Sequence, residues 1–257
     1  MSRRGTGVVL GIAALAVFVA LVRTRIDLAP RRNAAAWGVA TSPALYQADA
    51  EERPGAAVAL LVDTSGSMWQ PPKSGGAPKY LIARQALQTI LGATDAFVRH
   101  RPDYPVKLAV FGFSSMPWQV LPFGPYDHAA VESALQRLPL PGGGTAIGAA
   151  LDAARVALYR SASVRKYILV VTDGENTAGV APEPVARNIY AKSGGSVSIS
   201  FIAFDTDPAV FGFLRDVGGS VVTAQDAAGL EKALLEIYDG KILAEAPEPS
   251  EATGRAR

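Results

Sequence analysis

Residues 63–68 read DTSGSM, directly after the apolar run AAVALLV. Asp63, Ser65 and Ser67 alternate there, one carboxylate and two hydroxyls on a turn of small residues. Such a set suits a hard divalent cation, which takes oxygen ligands, or, more plainly, an Asx turn that caps the following helix. The plain reading needs nothing from elsewhere in the chain. Two later stretches add to it: GGGT at 142–145 brings Thr145, and VVTD at 170–173 ends in Asp173. Two carboxylates placed close together repel unless a cation lies between them. If the hydroxyls of Ser65, Ser67 and Thr145 hold that cation directly, and Asp63 and Asp173 act mostly through hydrogen bonds or water, positive charge is left for an acidic side chain from outside.

The elements that must position these residues are legible in the pattern. The runs AAVALLVD (56–63), VKLAVFGF (106–113), KYILVVTD (166–173) and VSISFIAFD (197–205) are short, apolar and partly β-branched, as expected of strands buried on both faces of a parallel sheet. SVVTA (220–224) reads as a shorter strand, and WQVLPF (118–123) as an edge strand limited by Pro122. Helical spacing occupies 79–100, 146–160 and 227–242. Three further helices are expected in DHAAVESALQRL, capped by Asp127, in PEPVARNIYAKSGG, and in DPAVFGFLRDVGG, which starts at Asp207 and stops at Gly218. Strands alternating with helices imply an α/β fold with a doubly wound, mostly parallel sheet, in which ligands gather at the carboxyl ends of the strands. Asp63 and Asp173 each close such a strand.

The net charge of +2 conceals two unlike parts: residues 1–32 carry +5 and the remainder −3. The mildly acidic remainder argues against nucleic-acid binding. The absence of cysteine excludes disulfides and thiolate chemistry. Residues 7–22, GVVLGIAALAVFVALV, have no polar side chain and cover roughly 24 Å as a helix, so residues 1–24 are read as a single membrane anchor, with a cleaved signal segment as the alternative. Two arginines precede the span and four follow it. That count places the domain inside, whereas a short basic start before an early apolar segment is typical of export; the reading leans to the outer side of the inner membrane. Residues 25–55 form a tether, 56–242 the domain and 243–257 a disordered tail.

The stretches VALLVDTSGSM, GGGTAIGAAL and YILVVTDGEN, with the closing run from ISFIAFD to LLEIY, resemble the von Willebrand factor type A family in its bacterial, membrane-anchored branch, over about residues 56–242. The resemblance implies a Rossmann-like fold and a metal-ion-dependent adhesion site, whose DxSxS, Thr and Asp parts fall on Asp63, Ser65, Ser67, Thr145 and Asp173. It further implies Mg²⁺, with Mn²⁺ or Ca²⁺ as alternatives, and a protein partner that supplies an acidic residue, within a MoxR-type AAA+ ATPase system or an envelope complex. No GxSxG, HExxH or GxxxxGK motif is present, and the expectation is a binding module rather than an enzyme. A metal-dependent phosphate-ester hydrolase and a purely structural domain are the alternatives. Trp69, Trp118 and Phe123 are candidates for a partner surface or for packing. Glu175 and Asn176 are placed on the rim or in the turn.

Overall fold

The computed structural model describes residues 51–247. The segments read as membrane anchor and tether, up to residue 50, and the last ten residues of the tail lie outside the described part; no described helix is long and apolar enough to cross a membrane.

Six strands form one sheet: β1 (Arg53–Asp63), β2 (Val106–Phe113), β3 (Pro117–Pro125), β4 (Ser163–Thr172), β5 (Val197–Phe204) and β6 (Ser220–Ala224), in the order β3-β2-β1-β4-β5-β6. All neighbours are parallel except β2 and β3. The helices are α1 (Lys79–His100), α2 (His128–Gln136), α3 (Ile147–Tyr159), α4 (Pro182–Ser193) and α5 (Ala227–Ile237).

β1 explains the two-sided core. From Ala56 to Asp63 it is buried throughout, and its side chains alternate between the faces. Val58, Leu60 and Val62 join one cluster with Ile82, Leu87 and Ile90 of α1, Val131 of α2 and Leu230 and Leu234 of α5. Ala57, Ala59 and Leu61 join the other with Ile147 and Leu151 of α3 and Val185 and Ile189 of α4. Each fully buried Leu or Ile here contributes roughly 1.5–3 kcal/mol, so no single helix holds the sheet.

Several details differ from the pattern reading. The helical run after Asp207 is a 3₁₀ segment, Pro208–Val217, kinked at Phe211; Asp207 does cap it, accepting from the Ala209 amide at 2.9 Å. α5 ends ten residues after Ala227, and Tyr238–Leu243 forms a π turn instead. The tail begins later than the pattern suggests, since Leu243 is buried and Glu245 accepts from the Tyr167 hydroxyl at 2.6 Å. Trp118 lies on the edge strand β3 with its indole against Gly112 of β2, so it serves packing.

Candidate metal site

Because β1 and β4 are parallel neighbours with Val62 level with Val171, both chains leave the sheet at the same edge. Asp63 thus meets the end of β4: its Oδ2 accepts from the Thr172 hydroxyl at 2.6 Å, and its Oδ1 from the Ser65 amide at 2.7 Å. The Ser65 and Ser67 hydroxyls lie 3.0 Å apart, and Ser67 donates to Asp173 Oδ1 at 2.7 Å. Four of the five expected residues are therefore joined in one hydrogen-bonded series, buried at Asp63, Ser65 and Asp173 and open to solvent at Ser67.

Thr145 is delivered by backbone rather than by its own side chain. The Gly66 amide donates to the Gly143 carbonyl at 3.1 Å and the Gly142 amide to the Thr64 carbonyl at 2.9 Å, lacing the glycine loop to the serine turn. Gly143 has φ +77, a left-handed conformation that a side chain disfavours. Thr145 follows, buried, its amide donating to the Thr177 hydroxyl at 2.8 Å and its carbonyl accepting from the Thr177 amide at 2.9 Å. The turn after β4 therefore braces the third loop. Asn176 contributes to that bracing, donating to the Ala178 carbonyl and accepting from the Gly148 amide, while Glu175 is exposed on the rim.

Burial pushes the Asp63 carboxyl up to about 6; hydrogen bonds from Thr172 and Ser65 pull it down, and the charge of Asp173 adds to the rise. A carboxylate so placed is uncomfortable without a cation nearby. Among the described residues no cluster of three or more His, Cys, Asp or Glu side chains forms a metal site. The donors here are of another kind, three hydroxyl-bearing residues with two carboxylates, and this all-oxygen set fits a hard divalent cation.

Three neighbours escaped the sequence reading. Thr172 holds Asp63. Lys79, the first residue of α1, brings its ammonium to 2.7 Å from Asp173 Oδ2, an ionic contact rather than a well-angled hydrogen bond. Asp205, just past β5, lies 3.6 Å from the same ammonium. The signal for Asp205 was available: it is the third apolar strand to end in Asp.

The histidines play no part. His100 bonds the Ala96 carbonyl, and His128 pairs with Asp95 at 2.8 Å. Neither serves as a base for Ser65 or Ser67.

Comparison with known proteins agrees with this architecture. A model of the von Willebrand factor type A domain family matches residues 58–175, and the chain carries a domain of that family, a general protein-interaction module. The PilB minor pilin from Streptococcus sanguinis is similar in structure, with TM-score 0.61 at 16% identity, over 76% of this chain and 63% of the pilin, so this chain spans less than two thirds of that relative. BatB from Bacteroides thetaiotaomicron gives TM-score 0.59 at 17% identity over 74% of this chain and 99% of its own. A serine-substituted form of an aerotolerance-related membrane protein from Bacteroides fragilis gives 0.57 at 17%, over 72% and 100%. No curated protein matches in sequence.

Proposed function

We propose that this chain is a membrane-tethered, non-enzymatic binding module that grips an acidic side chain of a protein partner through a divalent cation, Mg²⁺ first among the choices, held by Asp63, Ser65, Ser67, Thr145 and Asp173. The observation that carries this reading is the bonded series from Asp63 through Ser65 and Ser67 to Asp173, buried at its carboxylates and reaching the surface at Ser67.

The cation, when bound, supplies a positive centre that an incoming carboxylate completes. The chain's own residues do the rest. Asp63 orients the serine turn through the Ser65 amide, Thr172 fixes the other oxygen of Asp63, and Asp173 holds the Ser67 hydroxyl. Hydroxyl donors are neutral, so they leave the charge for the partner.

The rim suits a protein surface. Among the described large apolar residues the three most exposed are Leu140 at 69%, Met116 at 58% and Trp69 at 45%. Leu140 precedes the glycine loop, Met116 sits in the turn after β2, and Trp69 closes the short 3₁₀ turn Gly66–Trp69 that carries Ser67, so all three lie on connections at the carboxyl edge. Exposed apolar side chains beside a polar anchor supply contact area that a partner can cover. The membrane tether rests on the apolar run 7–22, and its outward orientation on the short basic start before it.

The test is capture of cross-linked partners by the full chain with Mg²⁺ and with EDTA, in wild type and in Asp63→Ala, alongside direct titration with Mg²⁺ or Mn²⁺. Metal-dependent capture that vanishes in the variant supports the reading; equal capture in every condition rejects it. A reporter fused at the C-terminus decides the side of the membrane.

A further inference from the structure

Asp173 faces two ways. Its Oδ1 accepts the Ser67 hydroxyl at 2.7 Å, on the side of the candidate metal site, while its Oδ2 lies 2.7 Å from the Lys79 ammonium. Both side chains are out of solvent, at 7% and 0% exposure. The same ammonium is 3.6 Å from Asp205 Oδ2, which also accepts from the Lys73 amide at 3.2 Å. Asp205 Oδ1 is buried with no hydrogen-bond partner, and the residue holds φ +56, a conformation that non-glycine residues seldom adopt. A buried carboxylate oxygen without a hydrogen-bond partner calls for an explanation, and the ammonium beside Asp205 supplies one. Asp63, Asp173 and Asp205 are three buried carboxylates against one buried ammonium, so negative charge is in surplus around the serine turn.

We propose that Lys79 is the standing counter-ion of the site: it occupies the face of Asp173 turned away from Ser67, keeps Asp173 and Asp205 together when no metal is bound, and limits how tightly a divalent cation is held. Asp205 is the second anchor of that ammonium and draws part of its charge away from Asp173. The inference rests on reading the five oxygen-bearing residues as a divalent-cation site, and it assigns that site a weak, exchangeable grip and a fold that survives without metal.

Charge and scaffolding make opposite predictions. If Lys79 and Asp205 act through charge, neutralising them moves metal affinity in opposite directions; if they only brace the loops, both changes weaken it. The full chain, stripped with EDTA, is titrated by calorimetry with Mn²⁺ and with Mg²⁺, and its thermal unfolding is followed with and without each metal. Lys79→Met is expected to bind about 10-fold more tightly, to melt lower when metal-free and to gain more on adding metal, while Asp205→Asn binds about 10-fold more weakly. Asn tolerates the left-handed backbone, so Asp205→Asn keeps the fold; a Lys79→Met chain that folds only on adding Mn²⁺ gives the charge outcome in its thermal unfolding, whereas one that stays unfolded with and without metal overturns the proposal. Lys79→Arg, which retains the charge, stays within a few-fold of wild type. Weakening in both neutral variants, or no change in either, overturns the proposal and leaves the metal site standing. Metal binding by Lys79→Met but not by wild type supports the proposal in its strongest form; no binding by wild type, Lys79→Met or Lys79→Arg overturns the cation site and this inference with it.

Discussion

The two ends of the sheet handle charge in opposite ways. At the amino edge, cations meet oxygens side by side: Lys166 Nζ lies 2.5 Å from Glu52, Lys107 donates to the Ser161 carbonyl at 2.6 Å, and Arg165 approaches Glu245 at 3.5 Å. At the carboxyl edge, two buried aspartates, Asp173 and Asp205, share one buried ammonium, and a third, Asp63, is buried beside them. The first arrangement quiets charge where the chain closes on itself. The second concentrates negative charge beneath the exposed residue Ser67. Buried lysines occur at both edges, so the surplus of carboxylates is what sets the carboxyl edge apart and supports the proposed cation site there.

The contrast is broken most directly at Asp63. Asp63→Ala is expected to weaken Mn²⁺ binding by about 100-fold or more, read by calorimetry, and an unchanged affinity would erase the difference between the two edges. Next in size is a packing change beneath the site. A methyl group added at Gly148 would lie 2.3 Å from the Val180 carbonyl and 2.8 Å from that of Ala181, so Gly148→Ala should cost about 3 kcal/mol in urea unfolding. That tests whether the loops of the carboxyl edge are seated as rigidly as their backbone bonds indicate.

The third prediction concerns pH. The Asp63 carboxyl, raised from 3.8 to about 6, takes up a proton more readily in the folded chain than in the unfolded one. Its contribution to metal-free stability is fully present below about pH 4 and is lost as pH rises through 6, a change of about 2–3 kcal/mol. The difference between wild type and Asp63→Asn, unfolded in EDTA from pH 4.5 to 7.5, should trace that loss, and saturating Mg²⁺ should suppress it. Lys166→Met supplies the control at the other edge: stability falls by about 2 kcal/mol with Mn²⁺ affinity unchanged. Smallest is Leu140→Ser, which alters stability by under about 0.5 kcal/mol yet weakens partner capture several-fold.

The sequence carried a large share of this. Every parallel strand was legible because each carries a short apolar, partly β-branched stretch, and α1 lies at 79–100, where its stripe of Ile82, Ala86 and Ile90 places it. Asp63, Ser65, Ser67 and Asp173 meet as their positions at strand ends require. Lys79 was invisible for a physical reason: it opens an amphipathic helix, where a lysine is ordinarily solvated, and the carboxylates that bury it stand 94 and 126 residues further along. The 3₁₀ character of 208–217 was likewise hidden, since an apolar stripe with a good cap and a terminal glycine looks the same whether the turns hold three or 3.6 residues.

The reciprocal amide bonds between the serine turn and the glycine loop have a mechanical consequence. Traction on one segment is passed to the other through peptide groups, independent of any ion, and onward into α3, whose first residue lies two beyond Thr145. Under the proposed function, a partner tugging on this corner would load α3, which is packed against one face of the sheet, so the grip would be wired to the body of the domain rather than to a loose fingertip.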